Sequence, residues 1–168
     1  DKISALLKAA GYYFKAKEMA GEGKNNYSLT NWLEINNMLN LAGKLTWSKS
    51  WRKGIKVPTL KSAKESMLSI INSKSVTDND MDFWKEVEIA NACLCLWLLE
   101  RKNTADMNEK MVIDAYQKAW NFAGSLNKKI AEIEHFDFLI NAWSTFSTAK
   151  PQIKAITKIR TDLKNFLK

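Results

Sequence analysis

Apolar residues return every three to four positions through most of this chain, the spacing of a single helix face. The pattern and its punctuation predict seven helices and no strand. The first covers 2–20 and stops at Gly21, a residue that accepts the left-handed backbone of a helix end. The second covers 28–42, opens at Tyr27 or Ser28 after the polar run 23–26, and stops at Gly43. Residues 44–58 read as a helical turn or loop closed by Pro58, and the third helix covers 59–73. The fourth starts in the acidic cluster at 78–82 and ends near Arg101 and Lys102, charges that suit the two ends of a helix dipole. The fifth covers 106–123, the sixth 127–147, and the seventh 149–167 with Pro151 in its first turn.

The fourth helix stands apart. Its stretch 89–99, IANACLCLWLL, is apolar on every side, which predicts burial between neighbours. It is too short to cross a bilayer, which takes about 20 residues, so no membrane partner is expected. Helices joined by short connections should pack as antiparallel hairpins. With 168 residues the chain is expected to form one domain, residues 1–168. It opens on Asp1 instead of Met, which suggests a piece of a longer protein.

The helices carry a repeat. Tyr13-x2-Ala16-x3-Ala20-Gly21 returns as Tyr116-x2-Ala119-x3-Ala123-Gly124, an offset of 103 positions. That is close to three periods of about 34 residues. The pattern resembles the tetratricopeptide repeat, a helix–turn–helix unit. Trp32-x2-Ile35-Asn36-x2-Leu39 is similar to the family's first helix, with Trp84-x2-Val87 and Phe136-x2-Leu139 as poorer examples. Ala9-x3-Tyr13-x2-Ala16 and Val112-x3-Tyr116-x2-Ala119 are similar to its second helix, and Ala63-x3-Met67 less so. The proline that ends such repeats is absent, the fourth helix is too long, and 44–58 is an insertion. The resemblance implies an all-α fold of stacked antiparallel helix hairpins, either a short right-handed solenoid or a compact bundle derived from one. It also implies a non-catalytic scaffold that holds a protein or peptide partner, or an adjacent domain of the same chain. On that expectation the asparagines of the second helix, Asn31, Asn36 and Asn37, are candidates to grip partner backbone.

Charge adds a rival. The net charge is +8, and the segment 44–74 sets eight basic residues against Glu65 alone. Within it, KLTWSKSWRKGIKVP interleaves Trp47 and Trp51 with Lys49, Arg52, Lys53 and Lys56. If the stretch is helical, Trp47, Trp51 and Ile55 share one side, and Lys49, Arg52, Lys53 and Lys56 share the other. A single-strand binder needs aromatics and cations on the same side. The tryptophans are therefore expected on the core and the cations in solvent. The rival function is a basic surface that binds nucleic acid or an acidic ligand through 44–64, these four cations included, and through the basic tail 150–168. With 23 Lys and 3 Arg, bidentate base reading is disfavoured, and this rival ranks second.

Catalytic chemistry has little to stand on. Glu132-x2-His135 places two ligand-type residues on one helix face, but His135 is the chain's single histidine. That count excludes paired Glu-x-x-His metal sites and His-Glu-x-x-His zinc sites. Cys93 and Cys95 sit in the most apolar helix, where a reactive thiolate is disfavoured. No Gly-rich phosphate loop is present. The expectation is no enzyme, no cofactor and no metal, and the two buried thiols fit a reducing cytoplasm.

Overall fold

The structure, a computed structural model, describes residues 2–21, 25–52, 55–73, 83–122, 124–146 and 150–167, with backbone alone at 51 and 52. Seven α-helices lie among them: α1 Lys2–Ala20, α2 Asn26–Leu41, α3 Leu60–Ile71, α4 Phe83–Glu100, α5 Glu109–Phe122, α6 Leu126–Trp143 and α7 Lys150–Phe166. Their ends follow from short-range chemistry. Asn25, rather than Tyr27 or Ser28, caps α2, its side chain accepting from the Ser28 N–H at 2.9 Å. Thr59 caps α3 in the same way, accepting from the Ser62 N–H at 2.9 Å. Each cap satisfies a backbone donor that the first helical turn leaves open. The acidic cluster at 78–82 lies outside the described residues.

One element differs in kind from the expectation. Within 44–58 the backbone forms two short strands, β1 Ser50–Arg52 and β2 Ile55–Lys56, paired antiparallel with Ser50 opposite Lys56. The reason is readable in Ile55-Lys56-Val57. Ile55 and Val57 are buried and Lys56 is exposed, the two-residue alternation of a strand with one face on a core. The helical-wheel argument for this stretch therefore does not apply.

α1 and α2 form a hairpin in which Phe14 meets Trp32 at 5.2 Å between ring centroids. α2 and α4 run in the same direction: Asn26 donates to Glu88 at 3.2 Å near their starts, and Asn37 donates to the Leu98 carbonyl at 2.9 Å near their ends. α3 is clipped to α4 by Lys64–Glu100 at 3.0 Å, and α5 by Lys118–Glu86 at 3.0 Å. α5 and α7 are also parallel, joined by Glu109–Lys158 at one end and by Trp120 stacked on Phe166 at the other. Arg160–Asp137 at 3.0 Å ties α7 to α6. α4 lies inside this assembly, with every residue from 90 to 99 buried. Its all-round apolar pattern is thereby accounted for. Among the described residues no helix is long and apolar enough to cross a membrane.

Candidate functional site

α2, α4 and α6 converge on one cleft of about 470 Å³. Tyr27 stands at the start of α2 and Trp84 at the start of α4, with relative exposures of 54% and 46%. Below them α4 contributes Val87, Glu88 and Asn91, and α6 contributes Glu132 and His135. Spacing explains the selection. Trp84, Val87, Glu88 and Asn91 lie three or four apart on α4, as do Glu132 and His135 on α6, so each set shares a helix face.

The floor of the cleft is polar and interior. Glu34 of α2 is 1% exposed, and its Oε2 lies 3.2 Å from Nε2 of His135. Burial alone would lower the His135 pKa. The charge and hydrogen bond of Glu34 more than reverse that and hold it above the usual histidine value, with Glu132 adding to the rise. Glu132 is hydrogen-bonded to Asn91, which also accepts from the hydroxyl of fully buried Tyr116 on α5. Burial pushes the Glu132 carboxyl up, His135 and Asn91 pull it back in part, and Glu34 pushes it further up. The hydroxyl of Tyr13 on α1 is likewise raised, to about 12, by burial and by its hydrogen bond to Tyr27. Tyr13 and Tyr116 thus approach the same cluster from α1 and α5.

At the lip, Lys128 of α6 places its ammonium 5.2 Å from the Trp84 ring centroid and 5.3 Å from that of Phe83. Among the described residues no lysine or arginine pairs with Glu34, Glu88 or Glu132. The cleft therefore gathers carboxylates whose partners are His135 and side-chain amides instead of lysine or arginine, beside half-exposed aromatic rings, in a chain whose net charge is +8. Such a surface can hold a cation or a hydrogen-bond donor.

The sequence candidates fall elsewhere. Asn31, Asn36 and Asn37 are all buried. Asn31 donates to the Tyr27 carbonyl at 2.8 Å, and Asn37 bonds to Leu98 and accepts from Arg101 at 3.1 Å. Asn36 has no partner for either amide atom. All three asparagines belong to the interior of α2 and present nothing to a partner in this fold. Lys49 and Lys56 are exposed beside the hairpin, and Trp47 is partly buried against the core. Lys53 and the side chain of Arg52 lie outside the described residues. His135, expected as a surface or helix-packing residue, is the second of these, the link between α6 and α2. The Glu132-x2-His135 spacing was the available signal for this site. Nothing local marked Glu34 as its third member.

Neither cysteine is positioned for nucleophilic work. Burial pushes the Cys93 thiol up to about 11 and Cys95 well above its ordinary value. Both stay protonated at neutral pH. Among the described residues no three His, Cys, Asp or Glu side chains gather as a metal-holding set. The chain matches no protein-family model, no curated protein and no solved structure.

Proposed function

We propose that the chain is a non-catalytic protein–protein interaction scaffold, a divergent tetratricopeptide-like module that holds a peptide segment of a partner. One observation carries this reading. The helices that line the cleft, α2, α4 and α6, are the three that bear the first-helix patterns of the repeat, centred on Trp32, Trp84 and Phe136. α2 runs parallel to α4, and α5 to α7, a relationship that stacked hairpins require, and the cleft opens where α2, α4 and α6 meet. The contact of His135 with Glu34, a hundred residues away in sequence, favours the compact-bundle form of such an array over an open solenoid.

Displayed random peptides panned against the folded chain test this reading. Selected peptides should perturb the amide and indole resonances of Tyr27, Trp84 and His135, and Trp84→Ala should abolish their binding. The rival reading, a basic surface for nucleic acid, rests on exposed Lys49 and Lys56. It requires retention on heparin or single-stranded DNA that falls steeply with salt and maps to the hairpin. That result, with no peptide selected, would replace the scaffold reading.

A further inference from the structure

Every charged group that the cleft itself brings to its floor and walls, His135 apart, is a carboxylate. Glu132 and Glu88 line it, and Glu34 is buried in contact with His135. Glu34 is only half satisfied: Oε2 meets His135, while Oε1 is buried without a hydrogen-bond partner. Tyr27 and Trp84 supply aromatic faces above these groups. An ammonium group gains from both features at once, through the ring quadrupole and through charge-assisted hydrogen bonds. The molecule contains an internal example, since the Lys128 ammonium rests over Trp84 at the lip. The cleft volume of about 470 Å³ falls within the range of roughly 300–1,000 Å³ that small ligands and side chains occupy.

We infer that the cleft is a socket for an alkylammonium group, supplied by a lysine side chain of the partner peptide. This rests on the scaffold reading and narrows it: the partner is basic at the contact point, although the host chain is itself basic. Long-range repulsion disfavours such a partner, so recognition depends on short-range desolvated contacts inside the cleft. A neutral isostere of lysine keeps the apolar contact with Tyr27 and Trp84 but leaves the carboxylates unpaired.

The test titrates the whole chain with three probes, followed by the Trp84 indole resonance. These are a blocked Gly-Lys-Gly tripeptide, the same tripeptide with norleucine for lysine, and the free diamine cadaverine. The lysine tripeptide should bind about tenfold or more tighter than the norleucine one. Glu132→Gln, and separately the half-buried Glu88→Gln, should remove most of that difference; the second variant serves if the first is poorly folded. Equal binding of the lysine and norleucine tripeptides overturns the ammonium socket and leaves the peptide-binding scaffold standing. Cadaverine binding tighter than the lysine tripeptide overturns the peptide as source and assigns the socket to a free amine. No response to any probe, while panned peptides still perturb Trp84, overturns the socket alone. No response to probes or panned peptides overturns both readings.

Discussion

Nε2 of His135 lies 3.2 Å from Oε2 of Glu34, and through this pair α6 is fastened to α2 across the floor of the cleft. Glu34 is 1% exposed, so its carboxylate depends on this partner. His135→Leu strands that charge in the interior. The expected cost is about 3–5 kcal/mol, a large share of the roughly 5–15 kcal/mol that holds a domain folded. The double variant Glu34→Leu/His135→Leu removes both members and should recover most of the loss. Urea unfolding of the three proteins measures it. A double variant less stable than His135→Leu would show that the pair is not the cause.

The same pair predicts the direction of pH dependence. The folded-state pKa of His135 is raised, so its stabilising share is complete below the unfolded value of about 6.5. That share is lost as pH rises through the folded value. The raised Glu132 carboxyl acts in the same direction, its share falling from the unfolded value of about 4.5 upward until pH passes the folded value. Melting temperature should therefore fall as pH rises above about 6.5, and His135→Gln should flatten the fall. An unchanged slope in that variant would place the titration elsewhere.

Two adjacent asparagines should respond with opposite signs. Asn36 buries an amide with no partner, so Asn36→Leu should stabilise the fold by about 1–3 kcal/mol. Asn37 donates to the Leu98 carbonyl and accepts from Arg101. Asn37→Leu should destabilise by a similar amount, because it leaves a buried carbonyl unpaired. Thermal unfolding of both variants reads the signs directly. A loss of stability in Asn36→Leu contradicts the first.

Glycines offer another contrast. Gly124 has φ 108°, and a Cβ there would overlap the Phe83 ring. Gly124→Ala should cost about 1–3 kcal/mol. It should also shift the fluorescence of Trp84, whose ring meets Phe83 edge-on at 5.1 Å. Gly11 lies inside α1 with open space around its missing Cβ, so Gly11→Ala should stabilise by up to about 1 kcal/mol. Calorimetry on both variants decides, and a stabilising Gly124→Ala would overturn the account of that turn.

The helices were legible because their boundaries are local. Gly21, Gly43 and Gly124 adopt the left-handed backbone that their positions suggest, and the observed ends fall within a few residues of the expected ones. Burial on α2 was not legible. Its residues 30–39 read TNWLEINNML, a mixture of polar and apolar types, yet all ten are covered. A polar residue on a helix enclosed all round looks in sequence like one facing water, and only neighbours from distant segments tell them apart. That is why Asn31, Asn36 and Asn37 read in sequence as partner-facing positions. Trp84 is the opposite case: a large aromatic at a repeat-like helix position, it is left half in solvent by its place in the first turn of α4. The hairpin at 50–56 was obscured because its alternation spans only three residues.

The enclosure of α4 sets the order in which the molecule can be made. A ribosome releases the chain amino end first, so this greasy rod emerges before α5 through α7 exist. Until then the Glu86 carboxylate lacks Lys118, and the Tyr116 hydroxyl that will meet Asn91 has not been synthesised. The half-made product carries a sticky, unsheathed segment into a crowded cell. That segment stays uncovered until α5, which ends at Phe122, has left the ribosome and can pack against it.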